Sequence, residues 1–235
     1  MSQERLDKIL VGQGYGSRTE MAEAIRRGRV RVDGTVCLKP ETRCDPAAER
    51  IVLDGEVIDY RKYMYIMLNK PEGCISATED GKQRTVMELL PLRFRRMGIF
   101  PVGRLDKDST GLLILTNDGA FCHAVTAPRR EVVKRYYVTL DRPIPADAAA
   151  AFEEGVVIDG RERCAPARLV PDEPSTAAHV YITEGRYHQV KRMFGAVGCT
   201  VLTLERLAIG GVELDVSLAR GEWRELTEDE LSAFT

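Results

Sequence analysis

Apolar residues near the start of the chain recur every three or four positions, at Leu6, Ile9 and Leu10. That spacing predicts a short helix with one buried face. Ser17 and Glu20 then have the spacing of a capping box, in which each side chain binds the other residue's backbone amide. A second helix is therefore predicted to begin after Ser17 and to run to about residue 27.

The periodicity changes to two after this helix. Residues 30–32 and 36–38 alternate between apolar and polar side chains on the two sides of an Asp-Gly pair, which is typical of a tight hairpin. Residues 51–53 and 57–58 flank a second Asp-Gly pair in the same way. Two helices followed by two hairpins predict a small N-terminal domain over residues 1–60, and the polar segment 59–63 is predicted to link it to a second domain.

Strand-like and helix-like segments interleave irregularly in the rest of the chain. Strands are predicted at residues 64–68, 132–140, 156–158, 180–182 and 199–204, and helices at residues 119–127, 146–154, 190–197 and 228 onward. Because the connections resemble hairpins, we expect an α+β domain over residues 61–235 with a mixed, mainly antiparallel sheet.

Charge is unevenly distributed in the 235-residue chain, although the net charge is only -2. Residues 82–107 carry seven cations against two anions, whereas seven acids accompany two arginines from residue 213 onward. Arginines also cluster along the second predicted helix, where they could form either a solvated helix face or a phosphate-contacting surface. A basic working face is therefore expected despite the near-neutral total.

The cysteines and histidines give no sign of a disulfide framework or a metal site. No C-x-x-C spacing occurs among the six cysteines, and no histidine lies at a metal-ligand spacing from a cysteine. No apolar run approaches the roughly 20 residues that a membrane span requires. We therefore expect a cytoplasmic protein with reduced thiols and no membrane partner.

Residues 102–111, with the sequence V-G-R-L-D-K-D-S-T-G, form the most unusual stretch of the chain because they place charged residues directly before the apolar run 112–115. Asp106 within it could cap a turn, bind calcium or act as a nucleophile. Calcium is excluded because an EF-hand loop needs a glutamate at its twelfth position, where Asn117 stands. An aspartate is ionised at neutral pH and needs no activating base. The residues themselves therefore leave two roles open for Asp106, as a turn cap or as a nucleophile.

Four stretches in order resemble the motifs of the pseudouridine synthases. Residues 103–119, G-R-L-D-K-D-S-T-G-L-L-I-L-T-N-D-G, resemble the catalytic motif of that family, and the other three matches are L-N-K-P-E-G at 68–73, Lys134-x-Tyr136, and E-G-R-Y-H-Q-V-K-R-M at 184–193. Residues 5–58 resemble the S4 RNA-binding domain. The combination is similar to the branch of small-subunit rRNA uridine synthase A and its large-subunit paralogues.

The resemblance implies a pseudouridine synthase fold behind an S4 domain, and it implies roles for individual residues. Asp106 would be the nucleophile or base that lets uracil detach from C1′ and reattach through C5. Tyr136 would stack on the target base, as a candidate acid or base for the C5 proton, and Lys191 would pair with Asp106. The residues implied to bind or shape the site for RNA are Arg104, Val190, Lys70 and Arg186, with Arg18, Arg26 and Arg27 in the S4 domain.

The implied reaction involves no redox or group-transfer step, so neither cofactor nor metal is expected. The expected partner is structured ribosomal RNA, bound by a monomer. Residues 185–194 and the Ile209-Gly210-Gly211 loop favour one uridine of 16S rRNA as the target. A 23S rRNA uridine and a non-catalytic S4-type rRNA-binding or assembly protein are the alternatives.

Overall fold

A computed structural model describes residues 3–173 and 175–234. The chain folds into two compact units. Unit 1 comprises the residues up to Met64 together with Leu90–Phe100, and unit 2 comprises Tyr65–Leu89 together with the residues from Pro101 onward.

Unit 1 begins with two helices and continues as a small sheet. The helices are α1 (Leu6–Gly12) and α2 (Arg18–Arg26), and the strands are β1 (Glu4–Arg5), β2 (Val30–Val32), β3 (Thr35–Cys37), β4 (Arg43–Cys44), β5 (Ile51–Leu53) and β6 (Glu56–Val57). The capping box at Ser17 and Glu20 is present. Strands pair in the order β3-β2-β5-β6, while β1 pairs with β4. Both predicted helices and both predicted hairpins are confirmed.

The apolar positions of unit 1 do not all reach its core. The first helix, the second helix and β2 bury residues that include Leu6, Leu10, Ile25 and Val30. Val36 on the outer strand β3 is exposed, although the alternating pattern predicts that it is buried. The reason is that β3 pairs only with β2 and forms an edge of the sheet, so the described part of unit 1 covers one side of it poorly.

A short helix from the middle of the chain belongs to unit 1. Helix α3 (Leu92–Arg96) contributes Arg93, whose Nε donates to the carbonyl oxygen of Gln13 over 3.0 Å and whose guanidinium lies 4.5 Å from the ring centre of Tyr15. A Cβ on Gly14 would stand 2.2 Å from the Arg93 carbonyl oxygen, so glycine alone permits this approach. The sequence patterns did not predict this excursion and indicated one continuous domain over residues 61–235.

Unit 2 contains the remaining elements. In chain order they are β7 (Tyr65–Lys70), β8 (Phe100–Pro101), β9 (Thr110–Thr116), α4 (Gly119–Thr126), β10 (Lys134–Leu140), α5 (Ala148–Glu154), β11 (Val157–Ile158), β12 (Glu162–Arg163), β13 (Arg168–Pro171), β14 (Ala177–Ile182), α6 (Gln189–Ala196), β15 (Val201–Ile209), β16 (Val212–Glu213), β17 (Trp223–Glu225) and α7 (Glu228–Ser232). The chain returns from unit 1 at β8, so only its second residue belongs here.

The main sheet of unit 2 has the strand order β13-β14-β10-β15-β9-β7-β17. The pairing of β15 with β9 is parallel, and the other pairings along this path are antiparallel. The predicted α+β class with a mixed, mainly antiparallel sheet is therefore confirmed. The run Leu112–Leu115 in β9 is fully buried because β9 lies inside the sheet.

Helices α5 and α6 contact each other through aromatic side chains. Phe152 and Phe194 are both fully buried, and their ring centres lie 5.2 Å apart. This contact fixes α6, so the first turn of that helix has a defined position beside the sheet. None of the helices in residues 3–173 and 175–234 has the length and apolar character needed to span a bilayer.

Candidate active site

A cavity of about 630 Å³ opens within unit 2. Its walls come from the loop before β9, from the adjacent strands β10 and β15, and from the turn that precedes α6. The predicted site residues that line it are Arg104, Asp106, Tyr136, Arg186 and Val190. Residues that lie far apart in the sequence thus meet at one site.

The loop that carries Asp106 is held at both ends. The hydroxyl of Ser76 donates to the carbonyl oxygen of Leu105 over 2.9 Å and accepts from its amide over 3.0 Å. At the other end Gly111 adopts φ +98°, and a Cβ there would stand 2.3 Å from the carbonyl oxygen of Arg206. The glycine of this motif is therefore required by the close approach of β15 to β9.

Lys70 supports the same loop from inside the protein. Its side chain is fully buried, and Nζ donates to the carbonyl oxygens of Asp106 over 2.9 Å, Ser109 over 2.7 Å and Pro71 over 3.1 Å. Burial lowers the pKa of Lys70. Because Lys70 is not among the residues that line the cavity, its geometry suits shaping the loop rather than contacting substrate.

Two side chains with basic character flank the Asp106 carboxylate. Lys191 Nζ lies 3.5 Å from Asp106 Oδ2 and donates to Asp108 Oδ1 over 2.6 Å, so it bridges both acids of the loop. The hydrogen bond from Lys191 holds the pKa of Asp108 below its usual range. His188 Nε2 lies 3.5 Å from Asp106 Oδ1 on the other side. The predicted Lys191–Asp106 pair is thus close in space, with Asp108 as an additional partner.

Tyr136 and Val190 both belong to the apolar part of the cavity wall. Tyr136 lies on β10, and only 7% of the residue is exposed. Val190 lies in the first turn of α6 and is also buried. A flat ring and an aliphatic side chain beside a carboxylate form a pocket of the kind that accepts a planar base.

The charged residues at the rim have different surroundings. Arg104 is exposed beside the cavity. Arg186 is also exposed, but its guanidinium already pairs with Glu184 over 3.1 Å and with Glu162 over 3.5 Å. A phosphate that binds Arg186 would therefore have to compete with two carboxylates.

The three predicted RNA-binding arginines of unit 1 differ in the same way. Arg27 Nε donates to Glu23 over 2.7 Å, and Arg18 lies 3.8 Å from Asp7. Arg26 is exposed and has no ion pair among the residues that the structure describes. Of the three, Arg26 is the most available for a phosphate.

Sequence reasoning assigned no role to four residues at the cavity. His188 adopts a left-handed conformation, with φ 49°, and its ring stacks on Tyr187 at 3.8 Å between ring centres. The ring of Tyr187 projects outward, with 76% of the residue exposed. The others are Lys134 on β10 and Arg206 on β15. The first three lie inside quoted motifs, whereas Arg206 lies outside them.

Within residues 3–173 and 175–234, no group of three or more His, Cys, Asp or Glu side chains is arranged to hold a metal ion.

The chemistry available at the cavity is that of a carboxylate between two basic groups, next to a buried phenol ring. This set can attack or deprotonate a bound molecule, stabilise the resulting charges and stack on a flat ring.

Comparison with known proteins agrees with the motifs and the geometry. The family described as RNA pseudouridylate synthase matches residues 64–196, and the S4 domain matches residues 4–50. An uncharacterised RNA pseudouridine synthase of Bacillus subtilis (strain 168) is 45% identical over 230 residues, covering 97% of this chain and 96% of that protein. Ribosomal small subunit pseudouridine synthase A of Escherichia coli (strain K12) is 38% identical over 232 residues, covering 97% and 99%.

A solved structure is similar over the whole length. The crystal structure of a pseudouridylate synthase superposes with a TM-score of 0.69 at 36% sequence identity, covering 98% of this chain and 99% of that one. Pseudouridine synthases are isomerases, and the S4 domain and these relatives together imply binding to RNA. The chain belongs to the RNA pseudouridylate synthase family and carries an S4 domain at its N-terminal end.

Proposed function

We propose that this protein converts one uridine of 16S ribosomal RNA into pseudouridine. The observation that carries the proposal is the position of Asp106, which lines the cavity between Lys191 and His188 and shares it with Tyr136. The identity to ribosomal small subunit pseudouridine synthase A of Escherichia coli over nearly the full length of both chains supports the choice of RNA.

The reaction moves the bond at C1′ from N1 of uracil to C5, which cannot happen while the base is stacked in a helix. The nucleotide must swing out of the RNA, at a cost of a few kcal/mol. Arg104, exposed at the rim, is suited to occupy the space that the base leaves. Basic residues of the S4 domain supply binding free energy that offsets this cost.

Asp106 acts on the nucleotide once the base has entered the cavity. Its carboxylate serves as the nucleophile or base that allows the bond from C1′ to N1 to break. Lys191, 3.5 Å away, stabilises the ionised carboxylate in a partly dry site. Tyr136 stacks on the base and is suited to exchange the proton at C5.

Mapping of pseudouridines in 16S and 23S rRNA, from cells with and without the gene, tests the reaction and its target together. We expect one mark in 16S rRNA to disappear and to return with the wild-type gene. Loss of a mark in 23S rRNA alone would mean that the reaction is correct and the target is wrong. An unchanged set of marks would contradict both.

The variant Asp106→Asn separates catalysis from RNA binding. The amide keeps the size of the side chain but cannot act as a nucleophile or base, so complementation should restore no pseudouridine. Affinity for the rRNA should stay within a few-fold of wild type, as measured by filter binding. A variant that still forms pseudouridine would contradict the role of Asp106. Marks that are the same with and without the gene would instead favour the alternative, a non-catalytic rRNA-binding or assembly protein.

A further inference from the structure

Arg206 is an arginine buried at the wall of the active-site cavity. Only 4% of the residue is exposed. Its Nε donates to the carbonyl oxygen of Leu112 over 2.8 Å, and its Nη1 donates to that of Arg104 over 3.4 Å. Its Nη2 is buried and has no hydrogen-bond partner among the residues that the structure describes. One donor of this side chain is therefore unused in the free protein.

The charge of Arg206 is also uncompensated. No ion pair to a carboxylate forms within the described part of the chain, and burial of a charge without a partner is strongly unfavourable. Lys134 lines the same cavity, where burial and the nearby guanidinium both lower its pKa. Two cations thus share a wall of the cavity that contains Asp106.

A purely structural role explains only part of this arrangement. The two carbonyl oxygens that Arg206 binds lie on either side of the Asp106 loop, so the side chain helps to hold the loop in place. That role uses Nε and Nη1 and would not require a free Nη2. The remaining donor suits an acceptor that arrives with the substrate.

The position of Tyr136 indicates which part of the substrate provides the acceptor for Nη2 of Arg206. Tyr136 and Arg206 are register partners on adjacent strands, and the guanidinium carbon lies 6.0 Å from the centre of the Tyr136 ring. A base that stacks on Tyr136 would have its edge near the guanidinium. Phosphates are attached on the sugar side and would remain nearer to the mouth of the cavity.

Negative charge develops on the base during the proposed reaction. When the bond from C1′ to N1 breaks, its electron pair stays with uracil and is shared with the O2 and O4 carbonyls. If Asp106 instead adds to C6, the electron pair of the C5–C6 double bond moves toward O4. The ring later uses a pair to bond C5 to C1′, loses the C5 proton and gains one at N1, so the overall change is an isomerisation.

We propose that Arg206 is a catalytic residue that donates from Nη2 to a carbonyl oxygen of the target uracil and stabilises the negative charge that develops there. Lys134 adds positive charge to the same wall. Preorganised donors in a site that excludes water are well suited to this purpose. The proposal rests on the proposed function, because it takes uracil as the occupant of the cavity.

Binding of free bases to the full chain tests the charge preference without any RNA. The probes are uracil, which is neutral at pH 7.5, and 5-nitrouracil, which is an anion at that pH because its nitro group withdraws electrons from the ring. We expect the wild type to bind 5-nitrouracil about tenfold to a hundredfold more tightly than uracil, because hydrogen bonds to charged groups are the stronger ones. Arg206→Gln should lose this preference, and Arg206→Lys should keep part of it.

Arg135→Gln is the matched control for this measurement. Arg135 is half-buried on β10, the strand next to the one that carries Arg206. It pairs with Glu213 and does not line the cavity. The control should prefer 5-nitrouracil as the wild type does. A wild type without the preference, or an Arg206→Gln variant that retains it, would overturn the proposal. Since no pseudouridine is formed in this assay, its failure is separate from failure of the proposed function.

Single-turnover rates provide the second measurement. The substrate is the rRNA fragment around the mapped uridine, in which the target carries oxygen or sulfur at position 2 or 4. Arg206→Gln should be slower by about 10²–10³ with oxygen. Sulfur accepts hydrogen bonds weakly, so at one of the two positions it should slow the wild type but not the variant further. Additive losses at both positions would leave Arg206 with a structural role only.

Discussion

Lys70 is a charged side chain enclosed in unit 2, where four backbone carbonyl oxygens accept its hydrogen bonds. It forms no ion pair with a described carboxylate, so its stabilising effect depends on those carbonyl groups. The ammonium group binds the loop of Asp106 much as a metal ion would. Position rather than reactivity is what this residue supplies.

The variant Lys70→Met should therefore lower both stability and activity. Methionine has a similar length but cannot donate, so the loop carbonyl oxygens lose their shared donor. We expect a loss of about 2 kcal/mol in the free energy of unfolding in urea. The rate of pseudouridine formation should fall further than substrate affinity, because Asp106 loses its fixed position.

Lys107→Met is the control for stability. Lys107 is exposed and donates to Gln83 over 3.1 Å at the surface. This variant should unfold within about 0.5 kcal/mol of wild type. If the two methionine variants were equally stable, the buried ammonium would not be what holds the loop.

At the residue scale, the sequence indicated Asp106 and Lys191 because each lies in a motif of the family, and the structure places Lys191 Nζ 3.5 Å from the Asp106 carboxylate. Arg206 lies outside those motifs and was assigned no role, although its position in the strand carried a signal. The alternation along β15 places Leu204, Arg206 and Ala208 on one face, which the structure buries. A lone arginine in the apolar register of a strand therefore indicates a site, but the pattern does not identify which cavity it faces.

At the scale of elements, local signals predicted the helix starts well. The capping boxes at Ser17 and Thr227 are both present because they depend on residues three positions apart. The short strands β13 and β17 were not predicted. They form as partners of β14 and β7, and neither is next to an Asp-Gly pair of the kind that marked the hairpins of unit 1.

The C-terminal helix α7 depends on an ion network. Arg224 on β17 donates to Glu230 in α7 over 2.7 Å and to Asp215 over 2.6 Å. Hydrogen bonds from Ser217 and from Arg224 lower the pKa of Asp215 to about 2. The pKa of Glu230 is lowered as well, chiefly by Arg224.

The variant Arg224→Gln should lower the melting temperature by about a few degrees at neutral pH. A carboxylate with a lowered folded-state pKa contributes stability above its unfolded value, 3.8 for Asp215 and 4.5 for Glu230, and loses it as the pH falls. The gap between wild type and variant should therefore stay constant from pH 7 to about 5 and close toward pH 2.

Thermal melts across this pH range measure the gap, with Arg161→Gln as the control for loss of one positive charge. Arg161 is exposed and has no ion pair in the part of the chain that the structure describes. The melting temperature of the Arg161→Gln variant should equal that of the wild type at each pH. A gap for Arg224→Gln that persists at pH 2 would show that packing, not charge, accounts for the effect.

At the scale of the whole molecule, unit 1 is discontinuous in sequence. The predicted division at residue 60 rests on the polar segment 59–63, and composition cannot show that residues 90–100 return to the first unit. The return depends on the contact of Arg93 with Gln13 and Tyr15, 78 to 80 positions away along the chain. Local patterns carry no information about such a contact.

The net charge of -2 also conceals how charge is used. Many arginines of unit 1 are neutralised by acids within the same unit; Arg29, for instance, binds Asp54 through two of its nitrogens. Arg26 has no such partner among residues 3–173 and 175–234. Binding to RNA should therefore depend on particular arginines rather than on the total.

Salt dependence of RNA binding distinguishes these arginines. Each phosphate contact contributes about 0.7–0.9 to the slope of log K against log salt concentration. In the Asp106→Asn background, which prevents turnover, Arg26→Gln should reduce this slope by about that amount and weaken binding at low salt. The control Arg29→Gln removes the same charge from an arginine that Asp54 already neutralises, so its slope should match the parent. Equal slopes for both variants would mean that Arg26 does not contact phosphate.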